Sequence, residues 1–325
     1  MNTVRTIQPS KPKLVVLLGP TAAGKTNLSL SLAEKLNGEI ISGDSMQVYR
    51  GMDIGTAKAS EEERSRVPHH LIDIRNPDEG YSVSEFQQMA KAHIADIQQR
   101  GKLPFIVGGT GLYIESVCYE FEFSEVDSDP AFRARMQELA DLEGPEALHQ
   151  QLERVDPERA RGIHANDTRR VIRALEIQHV SGKTATEYLQ GQKKVSPYDL
   201  CIIGLTMNRQ KLYQRIEWRI DQMLEEGLLE EVRQLIAQGY DHPMVSMQAL
   251  GYKEMMAYLK GGLSYEQAVE LLKRDTRRFA KRQLSWFRRM KDVIWHDVTE
   301  GNFEEHLHEI HAIIAGKLRL HAEYT

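Results

Sequence analysis

Short apolar runs alternate with amphipathic segments along the first third of the chain. Residues 14–18 (LVVLL) contain no polar alternation, which is typical of a strand buried on both faces of a parallel sheet. Residues 39–42 and 105–107 predict two further strands, and the apolar periodicity of residues 83–100 predicts a helix between them. Strands that alternate with helices predict an α/β fold, in which helices flank a parallel sheet.

The pattern changes in the middle of the chain, where strand signals disappear. Two Asp-Pro pairs, at 129–130 and 156–157, combine an N-cap residue with proline at the first helical position. We therefore predict a helical insertion domain over residues 123–195, which interrupts a core formed by residues 1–122 and 196–325. In the second part of that core, the pattern predicts strands at 201–205 and 293–295 and helices over 209–238 and 264–291.

Composition excludes several classes of protein. The 325 residues carry a formal charge of −5, which does not by itself favour nucleic acid. Only two cysteines occur, Cys118 and Cys201, so neither a disulfide framework nor a cysteine metal site is expected. Residues 1–13 are polar and lack the apolar stretch of a signal peptide, and no run reaches the roughly 18 apolar residues of a membrane span. We expect a cytoplasmic protein without a membrane partner.

A phosphate-binding loop follows the first predicted strand. Its two glycines are separated by four residues and are followed directly by a Lys-Thr pair, in the strand–loop–helix context of nucleotide- and ATP-binding proteins. Glycine lets backbone N–H groups converge on phosphate oxygens, Lys25 adds positive charge, and the Thr26 hydroxyl is placed to bind Mg²⁺. The predicted diphosphate-binding residues are Gly19, Pro20, Thr21, Ala22, Ala23, Gly24, Lys25 and Thr26.

Seven further segments occur in an order that closely resembles the bacterial tRNA dimethylallyltransferases. They are residues 44–58, 69–73, 108–113, 163–167, 173–176, 250–253 and 281–283. The first of them (DSMQVYRGMDIGTAK) is far more specific than the phosphate loop. Two positions depart from the family pattern: Ala23 replaces a common serine, and Ala165 stands where proline is usual.

The resemblance implies a P-loop NTPase-like fold and a defined reaction. A dimethylallyl group moves from dimethylallyl diphosphate to N6 of the adenosine on the 3′ side of the tRNA anticodon, and diphosphate is released. The resemblance casts Asp44 as the base, places Thr110 in the channel where the substrates meet, and assigns phosphate clamping to Arg219. An aromatic amine must lose a proton as it reacts, so a base and positive charge around the leaving group are both needed.

The residues alone leave these roles open. Asp44 could instead cap a loop or hold Mg²⁺ through water, and Thr110 could serve a turn. Arg219 could belong to a solvated helical face, and Arg215, one turn earlier, is the alternative clamp. His69 and His70 are expected to be structural, because adjacent residues of an extended segment point in opposite directions.

A cationic segment supports RNA binding. Residues 273–291 contain nine Lys/Arg and one acid, so this segment carries +8 and the rest of the chain −13. One predicted helical stripe is basic and another is apolar, which suggests a helix that docks on the core and faces a polyanion. The basic stripe is Arg274, Arg278, Lys281 and Arg288, and the apolar stripe is Ala280, Leu284, Phe287 and Met290.

The partner implied is a tRNA anticodon stem-loop, bound by a monomer. From the resemblance, the candidate tRNA contacts are Asp44, Ser45, Met46, Gln47, Thr110, Arg133, Arg169, Arg170, Val171, Ile172, Arg173, Gln248, Ala249, Leu250, Gly251, Tyr252, Lys253, Lys281, Arg282, Gln283, Leu284, Ser285, Trp286, Phe287 and Arg288. Three alternatives remain. These are a small-molecule P-loop kinase, an adenylate isopentenyltransferase acting on free nucleotides, and a nucleotide-gated RNA-binding protein without enzymatic activity.

Overall fold

The computed structural model describes residues 11–119, 121, 129–190, 195–242 and 244–320. The chain divides into two compact units. The core unit comprises Met1–Tyr119 and Ser196–Thr325, and the inserted unit comprises Glu120–Val195. In the part of the chain that is described, no helix is long and apolar enough to cross a membrane.

The core unit is built on a six-stranded sheet in which every recorded strand pair is parallel. The strand order is β3-β2-β4-β1-β5-β6, so β1 lies between two neighbours and buries both faces, as its unbroken apolar run predicts. This confirms the α/β fold class. The strands are β1 Lys13–Leu18, β2 Gly38–Ser42, β3 His69–His70, β4 Leu103–Gly108, β5 Asp199–Thr206 and β6 Val293–Asp297.

Helices of the core unit flank this sheet. They are α1 Lys25–Lys35, α2 Glu61–Arg66, α3 Val83–Gln99, α4 Gly111–Cys118, α10 Arg209–Glu225, α11 Leu228–Ala237, α12 Tyr252–Leu259, α13 Tyr265–Phe287 and α14 Phe303–Lys317. The prediction of one helix over 209–238 is wrong, because Gly227 adopts a positive φ of 106° between α10 and α11. The predicted helix over 264–291 ends four residues earlier, at Phe287. Strand β3 was not predicted, since two residues carry no periodicity.

The inserted unit is helical in the residues described. Its helices are α5 Pro130–Glu143, α6 Pro145–Val155, α7 Pro157–Arg161, α8 Thr168–Ser181 and α9 Ala185–Gln190. The Asp129 and Asp156 side chains cap α5 and α7 by accepting hydrogen bonds from backbone N–H groups three residues on. This confirms the helix starts expected from the Asp-Pro pairs. The amphipathic helices bury a core of their own, formed mainly by Leu148, Leu152 and Val171.

Candidate active site

The phosphate-binding loop connects β1 to α1 at the carboxyl edge of the sheet. Gly24 adopts a left-handed conformation (φ 93°) immediately before α1, which a glycine accommodates without strain. A Cβ on Gly19 would lie 3.1 Å from the Leu205 Cβ and carbonyl oxygen, so this position also favours glycine. The Lys25 ammonium donates hydrogen bonds to the carbonyl oxygens of Gly19 (2.9 Å) and Pro20 (2.8 Å). The loop therefore holds its lysine folded back at the start of α1.

The charge on Lys25 is destabilised by its surroundings. Burial above all, and also the charge of the Arg219 guanidinium, lower the pKa of Lys25 to about 7, and the Asp44 carboxylate opposes both effects. Burial likewise lowers the pKa of Arg219, which the charge of Asp44 partly offsets. Two desolvated cations near one another favour an anionic ligand, because its charge would stabilise both.

Asp44 follows β2 and lies at the same edge of the sheet. Burial raises the pKa of Asp44 above its ordinary value, opposed by hydrogen bonds from backbone N–H groups and by the charges of Lys25 and Arg219. Its Oδ1 accepts a hydrogen bond from the Met46 backbone N–H at 2.8 Å. A carboxylate whose pKa is raised accepts a proton more readily near neutral pH than an ordinary aspartate does.

Thr110 connects the loops that follow β2 and β4. Its Oγ1 accepts a hydrogen bond from the Ser45 backbone N–H (3.1 Å), and its own N–H donates to the Gly43 carbonyl (3.2 Å). A Cβ on Gly108 would lie 2.4 Å from the Gly43 backbone, so the two loops approach this closely only with glycine there. Thr110 thus stabilises the turn after β2, which is the structural role that its sequence context alone allows. It also lines a cavity together with Asp44.

Helix α13 packs against these loops through the side chains of Gln283 and Trp286. Gln283 accepts a hydrogen bond from the Thr21 backbone N–H (2.9 Å) and donates one to the Gly109 carbonyl (3.0 Å). A Cβ on Gly109 would lie 2.2 Å from Gln283 Nε2, and one on Gly111 would lie 2.3 Å from Trp286 Cδ1. The glycines of the 108–111 segment therefore provide room for α13, and Gln283 bridges the phosphate loop to the loop after β4.

Two cavities meet at Asp44. The first, of about 790 Å³, has charged and polar walls that include Lys25, Thr26, Arg215 and Arg219. The second, of about 300 Å³, is largely apolar and opens beside Lys253 and Arg282. Residues that line both cavities are Thr21, Ala22, Asp44, Thr56, Arg219, Met223 and Phe279. Asp44 and Arg219 thus lie at the junction of the two cavities, where a ligand bound in one cavity could react with a ligand bound in the other.

The two candidate arginine clamps occupy different places. Arg219 is half-buried, lines both cavities, and its charge acts on Lys25 and Asp44. Arg215 is exposed and lines the first cavity only. A Cβ on Gly24 would lie 3.6 Å from Arg215 Nη2, so Arg215 reaches over the start of α1. Both can contact a diphosphate, and Arg219 is the one beside Asp44.

The loop after Asp44 is supported by residues that sequence reasoning missed. The Glu231 carboxylate, on α11, accepts hydrogen bonds from the backbone N–H groups of Asp53, Ile54 and Gly55, at 3.0, 2.8 and 3.2 Å. It also accepts one from the Tyr252 hydroxyl at 2.5 Å. No local signal could have identified Glu231, because its backbone partners lie 176 to 178 residues away.

Gln47 supports the same loop from inside. Its Nε2 donates hydrogen bonds to the carbonyl oxygens of Thr56 (3.3 Å) and Ala57 (3.2 Å), and its Oε1 accepts one from the Ser42 hydroxyl (2.8 Å). Gln47 also lines the first cavity, and Ser45 and Met46 line the second. The residues after Asp44 therefore belong to the cavity walls, and Gln47 also maintains the shape of this loop.

The basic helix α13 has the two faces that its sequence predicts. Ala280, Phe287 and Met290 are buried and Leu284 is half-buried, whereas the four cations of the basic stripe are exposed. Several cations of the helix, among them Arg274 and Arg278 of the basic stripe, pair with acidic side chains of the protein. Lys273 pairs with Asp221 (2.5 Å), Arg277 with Glu217 (2.6 Å), and Arg274 with Asp275 (2.9 Å). Among the described residues, Lys281, Arg282 and Arg288 have no ion-pair partner.

In the inserted unit, two of the candidate arginines converge on one buried acid. Arg133 donates two hydrogen bonds to the fully buried Glu176 carboxylate (2.8 and 2.9 Å), and Arg173 donates a third (2.5 Å). Arg169 and Arg170 are exposed at the start of α8. The unit thus carries three arginines in the first two turns of α8 and one in the first turn of α5. Two of the four, Arg133 and Arg173, are fixed by Glu176.

Several candidate tRNA contacts have buried side chains. Val171, Tyr252 and Phe287 are fully buried, and Ile172 and Gln283 are nearly so. Their side chains pack inside the protein, and their assignment as tRNA contacts stays a prediction. Other members of the set line the second cavity, namely Gln248, Ala249, Leu250, Gly251, Lys253 and Arg282, and Ser285 is exposed on α13.

Comparison with known proteins agrees with this geometry. A family model described as IPP transferase matches residues 47–290. A tRNA dimethylallyltransferase of Bacillus licheniformis is 56% identical over 312 residues, covering 96% of this chain and 99% of the relative. The crystal structure of a full-length tRNA isopentenylpyrophosphate transferase from Bacillus halodurans superposes with a TM-score of 0.73 at 50% identity, covering 95% of this chain and 97% of that one.

A more distant structure has the same fold. It is that of a eukaryotic dimethylallyltransferase acting on tRNA, which matches with a TM-score of 0.77 at 33% identity, over 89% of this chain and 74% of that chain. The resemblance recognised from the seven sequence segments is therefore confirmed. The chain belongs to the IPP transferase family.

Proposed function

We propose that this chain transfers a dimethylallyl group from dimethylallyl diphosphate to N6 of the adenosine on the 3′ side of the tRNA anticodon. The observation that carries the proposal is Asp44, a carboxylate with a raised pKa, which lies where the cavity lined by Lys25, Arg215 and Arg219 meets a largely apolar one. The relatives named as tRNA dimethylallyltransferases support it.

The diphosphate of the donor would occupy the first cavity. Lys25 would exchange its two carbonyl partners for phosphate oxygens, and the backbone N–H groups at the start of α1 would bind the same anion. Arg219 lies beside Asp44, so it would face the oxygen that leaves the prenyl carbon. Positive charge held in place before the reaction stabilises the departing diphosphate without reorganisation.

Mg²⁺ fits the first cavity chemically. The Thr26 hydroxyl lines this cavity beside Lys25, and oxygen donors together with substrate phosphates are what Mg²⁺ prefers. We assign Thr26 as its protein ligand. Bound there, the ion would neutralise charge on the diphosphate. Lys25 and Arg219, which line the same cavity, would share that task.

The adenine would enter the second cavity, where apolar walls suit a planar base. As the amine forms a C–N bond with the allylic carbon, the C–O bond to diphosphate breaks and one amine proton passes to Asp44. The base must leave its stack to arrive there, as in other base-modifying enzymes. Lys253 and Arg282 lie at the wall of this cavity, where the sugar–phosphate backbone would follow the base.

The decisive experiment offers dimethylallyl diphosphate with unmodified tRNA, and in parallel with AMP or ATP, and follows prenyl incorporation. We expect product with tRNA only. Incorporation into AMP would establish the adenylate isopentenyltransferase instead, and phosphate transfer from ATP to a small acceptor would establish a kinase. RNA binding without transfer of a prenyl or phosphate group would support the third alternative, an RNA-binding protein without enzymatic activity.

We propose that the monomer is the active form. Sedimentation at assay concentrations measures this directly. An active species with twice the mass of the chain would contradict it.

A further inference from the structure

Two histidines and a glutamate converge at the far edge of the core unit, on β6 and α14. The sheet order places β6 at the end opposite β3, with β5 as its neighbour. His296 Nε2 and His306 Nδ1 are 2.9 Å apart, and His296 Nδ1 is 3.8 Å from a Glu309 carboxylate oxygen. One ligand atom from each of the three lies within 4.8 Å of the others. These groups have no part in the chemistry proposed above.

The hydrogen bonding of this cluster is incomplete within the protein. The two imidazoles share a single hydrogen bond, and in the described part of the chain the buried Nε2 of His306 has no hydrogen-bond partner. The nitrogens that face each other, His296 Nε2 and His306 Nδ1, are those that a metal ion would bind, and neutral imidazole is the form that binds metals.

The separations are close to those of a metal site. Ligands about 2.1 Å from a tetrahedral zinc ion lie about 3.4 Å from one another, so a metal could replace the proton that the two imidazoles share after small adjustments. His306 and Glu309 are three residues apart on α14, which places both on one face of that helix. His296 is 9% exposed at its side chain and Glu309 63% exposed, so one side of the cluster is open to solvent.

The local charge favours a cation. Between residues 292 and 316 the chain contains six Asp/Glu and no Lys/Arg. Two imidazoles and one carboxylate form the donor set of three-ligand zinc sites, in which water takes the fourth position.

We propose that His296, His306 and Glu309 form a zinc-binding site that fastens α14 to β6. The bound ion would bridge an edge strand and the last described helix. The site would therefore contribute to stability rather than to prenyl transfer, since metal that binds only the folded state adds its binding free energy to folding.

The test uses the full chain without a polyhistidine tag, freed of metal by chelation and dialysis. Zinc is titrated against a chromogenic indicator, and Co²⁺ is added separately to record its visible spectrum. We expect one equivalent of zinc, intense Co²⁺ bands typical of four-coordination, and a melting temperature that rises with zinc. Binding should weaken below about pH 6, where imidazole becomes protonated.

Variants separate this site from adventitious binding. His306→Ala should abolish binding of that equivalent and the shift in melting temperature. Glu309→Gln, at an exposed position that folding tolerates, should weaken zinc binding by about 10- to 100-fold. His308→Ala, an exposed histidine on the same helix, is the matched control and should bind as the unchanged protein does. Zinc binding that is absent in the unchanged protein, or undiminished in both ligand variants, would overturn the proposal.

Discussion

One acidic residue lies near each end of strand β2, Glu39 within the strand and Asp44 beyond it, and their pKa values are shifted in opposite directions. Glu39, near the amino end, is buried and accepts hydrogen bonds from Arg100, Lys102 and His70, the last two at 2.8 Å. These partners, Arg100 above all, hold the pKa of Glu39 well below its ordinary range. Asp44, just beyond the carboxyl end, has a raised pKa.

The difference lies in how the positive charge is arranged. At Glu39, cationic side chains donate directly to the carboxylate, so its proton affinity is almost lost. At Asp44, the cations Lys25 and Arg219 act through space, and the recorded hydrogen bonds come from backbone N–H groups. A carboxylate in the first arrangement stabilises a fold, and one in the second can accept a proton. This contrast separates a structural acid on β2 from a candidate base two residues beyond the end of the same strand.

The largest effect is expected from Asp44→Asn. The variant keeps the shape of the side chain and removes the proton acceptor, so prenyl transfer should fall by about 10²- to 10⁴-fold. Single-turnover assays with saturating tRNA and donor measure the chemical step, and filter binding should show tRNA affinity close to normal. Glu39→Gln serves as the control and should retain the rate constant at a temperature where it is folded. Near-normal transfer by Asp44→Asn would remove Asp44 from the role of base.

Glu39→Gln should instead lower stability, by about 3–5 kcal/mol, because it leaves Arg100 and Lys102 without their buried partner. Chemical denaturation measures the free energy of unfolding of both variants. We expect Asp44→Asn to lose much less of it than Glu39→Gln does. A folded-state pKa below the unfolded value means that the stabilisation is complete above about pH 4.3 and is lost as pH falls below it. Equal loss of stability in both variants would contradict the assignment of Glu39, and not Asp44, as the carboxylate that stabilises the fold.

A smaller effect concerns the pH dependence of diphosphate binding at Lys25, whose pKa is lowered to about 7 mainly by burial. A bound diphosphate restores the charge of the ammonium, so binding at pH 8 should take up nearly one proton, and binding at pH 6 almost none. The affinity should consequently fall as pH rises above 7, by at most about tenfold per pH unit.

Calorimetry with inorganic diphosphate, in buffers of different ionisation enthalpy, measures the protons taken up. Lys25→Met should abolish the uptake, whereas Asp44→Asn should retain it. Uptake that persists in Lys25→Met would assign the proton to another group.

The smallest effect per residue is expected on RNA affinity, from the exposed cations at the end of α13. These side chains are solvated, whereas Lys25 is buried. Replacing Lys281, Arg282 and Arg288 with alanine should flatten the logarithmic dependence of RNA affinity on salt by about 2–3 units, because fewer counterions are released. Titration with an anticodon stem-loop at several salt concentrations measures the slope.

The matched control is the double variant Lys273→Ala and Arg277→Ala, on the same helix. These cations pair with Asp221 and Glu217, so the slope should change much less. Equal flattening in both variants would mean that net charge, and not the position of the basic stripe, governs RNA binding.

Features that depend on neighbours in the chain could be predicted from the sequence. The apolar run of β1, the phosphate loop, the Asp-Pro helix starts and the two stripes of α13 are all repeats or short patterns, in which each residue's environment follows from the periodicity of its own element. Family resemblance added roles for Asp44, Thr110 and Arg219, which no periodicity reveals.

The tertiary structure alone decided which side chains meet across the chain. Gln283 bridges Thr21 and Gly109, which lie 262 and 174 residues away, and Glu231 anchors a loop 176 to 178 residues away. It also decided that Glu39 and Asp44, acids only five positions apart in the chain, have pKa values shifted in opposite directions. Desolvation and charge proximity are properties of packed space and not of sequence spacing, so a residue's type indicates which chemistry it can perform, and only its three-dimensional neighbours determine whether it does.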